Sequence, residues 1–432
     1  MEGNDNAPQS RWIHKFILTF FGMASLLGWN ALLTKLDFFN YYLSDINPFR
    51  SFSFFNYALN ITFQFLLVLK KDLFTQKFQL LTGIIGSIAF LILIPLSTMF
   101  LGKNELINKI VTCGLVVLMG FTNALACSGF FSYAGHFPLN MIVVFTAGQG
   151  ISGIGLNIIE YIVIASVNID DPDKDNIVKA WIFFGIGILI LLLCLFLLFK
   201  SYNDEYCKYY LNKANESENV TKEHETKLLT NMEGDSVEEE DGIPASKVEN
   251  LSSDQKGSLQ ITPNFIYVFK KLWDLDVLAC YAYIITFSLF PNVCISQQIF
   301  NLVTYNSVTV ISIYNAFDTI GRYLVDRMTP TKRLNSSIGL GRTLLIATLI
   351  LNYYFQKNDF NKIFTSIFLI VNVAILGLTN GMAGTLSFGL AAKLSEDEIK
   401  GQAGGSISFF SILGIFLGSC LAFGTGAIID AI

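Results

Sequence analysis

Eleven long apolar runs divide this chain, and nothing water-soluble of this size can be built around them. They lie near 13–37, 52–70, 78–101, 106–135, 138–167, 178–200, 267–294, 300–325, 336–355, 362–392 and 403–429. A helix that crosses the hydrocarbon core of a bilayer needs about 20 such residues. Its backbone polar groups must be satisfied internally, because the bilayer core holds no water to satisfy them. Composition agrees: 52% of the 432 residues are apolar and only 15% are charged, against about 25% charged in an average soluble protein. The chain reads as an all-α integral membrane protein with eleven transmembrane helices. A disordered chain and a basic nucleic-acid binder are excluded.

Residues 1–11 are polar and lack the basic flank and cleavage site of a removed signal peptide. The first run is therefore expected to remain as a helix behind a cytoplasmic N-terminus. Lys and Arg in short loops mark the cytoplasmic side. On that rule Lys70, Lys71, Lys77, Arg327, Lys332, Arg333, Lys393 and Lys400 face inward, and the cluster Asp170, Asp171, Asp173 and Asp175 faces outward. Residues 12–200 then form an N-terminal six-helix bundle and 264–432 a C-terminal five-helix bundle, with the C-terminus extracellular. Between them, 201–263 holds fourteen acids and six lysines, a net of −8 in a chain whose net charge is −5. This segment cannot bury enough surface to fold alone, so it reads as an acidic disordered cytoplasmic linker. The sequons at Asn215, Asn219 and Asn250 fall within it and stay unglycosylated on that topology. Two helical halves around a central loop are a transporter layout, with the ligand near the midplane.

Seven scattered cysteines and three distant histidines show no metal-ligand or disulfide spacing. The informative side chains are the polar ones inside the apolar runs, since an Asp or Arg at a helix centre costs about 2.5–3.5 kcal/mol on insertion scales. In the eighth run Asp318 and Arg322 are four residues apart, with Asn315 three before Asp318, which puts all three on one helix face. That stripe suits a ligand with several hydroxyls, or it is an ion pair that joins two helices. Trp29 and Asn30 in the first run offer a flat ring and an amide, or simple packing. Gly148-Gln149-Gly150-Ile151-Ser152-Gly153 matches G-x-G-x-x-G, but it lies inside a continuous apolar helix and not at a strand-to-helix turn. Its small residues, like Gly377, Gly381, Gly414 and Gly418, let helix backbones approach. Gln149 is the polar member of that block. Glu160 is an acid in the outer part of the fifth run and could couple protons or simply be paired. Arg342 and Asn380 are further cavity candidates, with Arg342 placed near the inner end, where it could snorkel.

Together these patches resemble the equilibrative nucleoside transporter family. The resemblance rests on Leu26-Leu27-Gly28-Trp29-Asn30, the Gly148–Gly153 block, Phe317-Asp318 to Gly321-Arg322, Thr379-Asn380-Gly381 with the later Ala403-Gly404 and Gly414 to Gly418, and Phe290-Pro291. It implies a major-facilitator-like two-bundle (6+5) transporter that passes nucleosides, and in some members nucleobases, down a gradient. It also implies that Asp318 and Arg322 engage the ribose hydroxyls, with Asn315 beside them and Trp29 and Asn30 near the base. In the family a Gln of the fourth span bonds the base; here the stretch reads Gly120-Phe121-Thr122-Asn123-Ala124, so Asn123 takes that place. Gln149 completes the expected binding set.

The expected mechanism is alternating access around a nucleoside at the midplane, without metal or cofactor. The expected setting is the bilayer of the plasma membrane, with the protein acting as a monomer and binding no nucleic acid. The alternatives are a proton-coupled nucleoside or nucleobase transporter, and a carrier of another small polar solute such as a sugar. The runs hold no paired Asp, His or Ser-Lys set of the kind an intramembrane enzyme uses, and an odd number of spans argues against a heptahelical receptor.

Overall fold

The structure is a computed structural model that describes residues 8–70, 73–101, 105–213, 265–395 and 400–432. Among these residues it is all-helical. The first half holds α1 (Trp12–Thr34), α2 (Leu36–Leu43), α3 (Pro48–Leu69), α4 (Gln76–Leu101), α5 (Glu105–Gly135), α6 (Leu139–Ser166) and α7 (Pro172–Asn203). The second holds α8 (Phe265–Leu289), α9 (Asn292–Ile295), α10 (Asn306–Asp326), α11 (Lys332–Gly341), α12 (Leu344–Lys357), α13 (Lys362–Leu394) and α14 (Lys400–Ala431). Ten helical stretches among the described residues are long and apolar enough to cross a membrane, with α11 and α12 counted as one. Along them Leu118, Ile158, Leu189 and Ile367 are each more than half exposed. Large apolar side chains displayed in rows suit hydrocarbon and not water. The chain is a multi-pass integral membrane protein.

Helix α10 is absent from those ten. Its 21 residues carry Asn306, Asn315, Asp318 and Arg322, and these polar side chains lower its hydropathy. The sequence placed the start of this run at 300. The structure starts the helix at Asn306, because the segment before it is spent on turns in which the Asn306 side chain bonds Ile295 O, Gln297 O and Ile299 N–H. The ninth run is two helices. The break at Arg342 and Thr343 follows Gly339 and Gly341, poor helix formers, and the Thr343 hydroxyl turns back onto Leu340 O at 2.7 Å. The first run likewise ends at Thr34 and is followed by the separate helix α2. Side-chain caps start several helices: Asp171 accepts from Asp173 and Lys174 N–H, Thr331 from Leu334, and Asn361 from Ile363 and Phe364.

In the first half α1 packs along α6 and α5 packs between α3 and α4; in the second, α8 runs along α14 and α10 along α13. The two halves meet where α3 touches α14 and where α6 touches α10. The pairs α1–α6, α10–α13 and α8–α14 approach to backbone contact. A Cβ on Gly148 would strike the Thr19 carbonyl, one on Gly381 the Asp318 carbonyl, and one on Gly414 the Cys280 carbonyl. Larger residues there would force these helices apart.

The segment expected as a linker from residue 201 is ordered at its start. Helix α7 runs on to Asn203 and residues 205–213 are helical. Tyr206 is buried and stacks on His14 at 4.1 Å, and His14 Nε2 lies 3.3 Å from Asp204. Two aromatic rings and an ion pair tie this stretch beneath α1, so its acidity did not reveal its fold. The rest of the expected linker, with the acidic run Glu238 to Asp241 and the three sequons, lies outside the described residues.

Candidate functional site

Between the halves lies a cavity of about 170 Å³, room for on the order of ten water molecules. All seven residues expected at a site line it: Trp29 and Asn30 from α1, Asn123 from α5, Gln149 from α6, and Asn315, Asp318 and Arg322 from α10. Asn380 of α13 lines it too.

The polar end is built on α10. One turn separates Asp318 from Arg322, and Arg322 Nε donates to Asp318 Oδ2 at 2.8 Å. The backbone contact at Gly381 brings α13 close enough for Asn380 Nδ2 to donate to Asp318 Oδ1 at 2.7 Å. Both carboxylate oxygens are thus held, and Asp318 is buried at 6% exposure. An ionised acid at membrane depth is tolerable only with such partners. Arg322 is engaged by the protein through Nε, which leaves the rest of its planar fork of donors toward the cavity. Asn315 Nδ2 is buried and has no partner. Donors and a carboxylate therefore sit side by side around empty space, an arrangement that matches a ligand with vicinal hydroxyls.

The opposite side is aromatic and amide-rich. Trp29 meets Tyr57 edge-on at 5.3 Å, and Phe290 stacks on Tyr314 at 4.1 Å with 16° between the rings. Gln149 donates to Ser25 Oγ at 3.1 Å, Asn30 to Ser152 Oγ at 3.3 Å and Asn123 to Asn56 Oδ1 at 3.2 Å. The close approach of α1 and α6 at Gly148 is what sets Gln149 and Asn30 in these positions.

Two sequence expectations change. Arg342 does not snorkel: it is 1% exposed, donating to Thr379 Oγ1 at 3.0 Å and to Thr286 Oγ1. The break between α11 and α12 turns it into the bundle. Glu160 is the paired alternative, 2.8 Å from Lys35 with both side chains buried, and it does not line the cavity. The sequence reading missed Tyr57, Asn60, Tyr283, Phe287 and Tyr314, which also line the cavity. One signal was present: Asn56, Asn60 and Gln64 recur every four residues in α3. That polar ridge faces inward, with Asn56 donating to Val116 O and Gln64 to Ala124 O.

The profile of the nucleoside transporter family matches residues 113–426. The chain belongs to the nucleoside transporter family. Among curated relatives it is 23% identical to "Equilibrative nucleotide transporter 7" of Arabidopsis thaliana over 95% of this chain and 94% of that one. It is 24% identical to "Equilibrative nucleoside transporter 1" of Rattus norvegicus over 96% and 97%. Among solved structures, that of a D-xylose-proton symporter aligns with a TM-score of 0.63 at 12% identity, over 96% of this chain and 90% of that chain. The nucleoside transporter family is thus seen here on a major-facilitator-like fold. In this family member the Asp318–Arg322–Asn380 cluster and the aromatic wall face each other across the seam between the halves.

Proposed function

We propose that the chain carries nucleosides, and nucleobases as a subset of their chemistry, across the plasma membrane by equilibrative alternating access. The observation that carries this reading is the buried Asp318–Arg322 pair in a cavity whose other wall is aromatic. A sugar alone would leave Trp29, Tyr57, Phe287, Phe290 and Tyr314 without a flat partner; a nucleoside has a base for them and a ribose for Asp318, Arg322 and Asn315. Asn30, Asn123 and Gln149 supply amides for the base edge. Asp318 cancels the charge of Arg322, so a neutral nucleoside suits the cavity better than the phosphate of a nucleotide. Glu160 has Lys35 as a counter-ion away from the cavity, which favours the equilibrative reading over proton coupling.

In this reading α10 is an eleventh span: 21 residues give about 31 Å of helix, matched to about 30 Å of hydrocarbon. Six spans precede the 201–263 segment and five follow it, with the N-terminus inside, the C-terminus outside, and one chain as the working unit. The halves are clasped at the outer end by Arg50 with Asp430 and Asn292, by Tyr161 with Thr309, and by Ser307 with Asp37. Toward the other end Phe131 stacks on Phe388 at 5.7 Å. Rocking the halves about the cavity would exchange one set for the other, and a substrate shifts that equilibrium only through contacts that differ between the two states.

The test is uptake of labelled adenosine into nucleoside-transport-deficient cells, competed by purine and pyrimidine nucleosides and by glucose. Nucleosides compete and glucose does not. Competition by glucose, or uptake no greater than in untransfected cells, would overturn the reading.

A further inference from the structure

Arg342 lies outside the lining of this cavity, yet it is the largest fully buried side chain described. Among the described residues no carboxylate bonds it. Its guanidinium reaches only the hydroxyls of Thr379 and Thr286, and its Nε has no partner. A buried cation that meets only neutral groups needs compensation from somewhere nearby. The compensation lies along one path. Arg342 Nη2 donates to Thr286 Oγ1, the Thr286 hydroxyl donates to Asn380 Oδ1 at 2.8 Å, and Asn380 Nδ2 donates to Asp318 Oδ1 at 2.7 Å. Every donor in this chain points from the cation toward the carboxylate, the direction in which successive hydrogen bonds polarise one another in a low-dielectric interior.

We propose that Arg342 and Thr286 are positioning residues which, through Asn380, hold the Asp318 carboxylate in the rotamer that grips a substrate hydroxyl. The proposal rests on the nucleoside reading of the cavity. Thr286 carries a single proton and has two acceptors within reach, Asn380 Oδ1 and the Ala282 carbonyl at 3.0 Å. A threonine in a helix ordinarily turns back onto the carbonyl four residues earlier. The Arg342 guanidinium occupies the hydroxyl oxygen and fixes the direction of its remaining proton. With Asn380 Oδ1 held by that proton, its NH2 can face only Asp318. Release the hydroxyl and the amide is free to rotate, which presents an oxygen to a carboxylate and drives Asp318 off its rotamer. The four residues come from α8, α10, α13 and the α11–α12 break, all in the second half. Rocking of the two halves leaves the chain intact, so the grip on the sugar is the same from either side of the membrane.

The test measures KM for adenosine and for 2′,3′-dideoxyadenosine, which lacks the hydroxyls, in cells that express each variant. Thr286→Val keeps the shape and removes the relay; it raises KM for adenosine about tenfold and shifts KM for the dideoxy analogue much less. Thr286→Ser restores the adenosine KM. Arg342→Gln shows the same selective shift. KM does not depend on how many carriers reach the surface, so reduced folding of a variant does not mimic the result. Equal shifts for both substrates, or an unchanged adenosine KM in Thr286→Val, overturn the proposal. Absence of adenosine uptake by the wild-type protein overturns the nucleoside reading and the proposal with it.

Discussion

Arg50, in the first turn of α3, holds Asp430 of α14 by two parallel hydrogen bonds of 2.9 and 3.0 Å, and its Nε reaches Asn292 at 3.1 Å. This fork is a direct charged link between the two halves at the end of the molecule opposite the Phe131–Phe388 stack. Asp430 is more than half exposed, so water screens the pair and its worth is about 0.2–1 kcal/mol. Asp430→Asn is therefore expected to favour opening at that end by about two- to fivefold. Cys127, a cavity-lining residue, reports it when the other six cysteines are replaced: an impermeant thiol reagent applied outside labels it faster in the variant. An unchanged labelling rate would show that the pair does not gate that end.

Asp318 and Arg322 are each other's charge partners at membrane depth. Removal of either leaves the other buried and unpaired, and hydrogen bonds to charged groups contribute about 1.5–3 kcal/mol each. Asp318→Ala and Arg322→Ala are expected to lower Vmax/KM for adenosine by about tenfold to a hundredfold while surface-labelled protein persists. Normal uptake by either variant would remove the sugar site.

Two glycines of the same helix give opposite expectations. A Cβ at Gly381 would press on the Asp318 carbonyl, whereas at Gly389 nothing lies within 4 Å. Gly381→Ala should destabilise by about 1–3 kcal/mol through overpacking and loosen the Asn380–Asp318 bond with it. Gly389→Ala should be neutral or stabilise by about 0.5–1 kcal/mol from helix propensity. Thermal unfolding of the detergent-solubilised protein separates the two, and equal midpoints would contradict the close packing of α10 on α13.

Lys35 and Glu160 are both under 10% exposed on their side chains. Lys35→Met alone should cost about 3–5 kcal/mol, since it strands a buried carboxylate, while Lys35→Met with Glu160→Leu should recover most of that loss. Unfolding midpoints give the readout. A second readout is uptake against an imposed pH gradient: on the equilibrative reading it shows no gradient dependence in the wild type or in Glu160→Gln.

Much of this site was legible because its members share helices. Asp318, Arg322 and Asn315 are bound together by the 3.6-residue period, and the glycines announced which helix faces come close. Periodicity is silent on which distant helix supplies a partner. Asn380 stood out as polar, but its bond to Asp318 depends on the register of α13 against α10, fixed by contacts at Gly377, Gly381 and Gly321 on both helices. Thr286 was invisible, because a threonine in an apolar run ordinarily bonds its own helix. Arg342 was misread from its distance to the end of the run. The helix break that follows Gly341 interrupts an apolar pattern that gives no sign of it, and that break is what turns the side chain inward. Tyr206 and Cys207 were hidden by the acidity around them, since composition averages over a segment whose first turns are docked.

Helix α10 is too polar to qualify as a span by its own hydropathy, and its Asp318 is quenched by Asn380, which the ribosome makes 62 residues later. The same side chains that await a substrate therefore make this helix dependent on its later neighbours for a stable place in the bilayer. Biogenesis and recognition draw on one set of groups: a nascent chain cut short before α13 would hold an unsatisfied carboxylate at membrane depth, a signal that quality control can read. Substitutions at Asn380 should then be felt first as lost protein and only afterwards as lost selectivity.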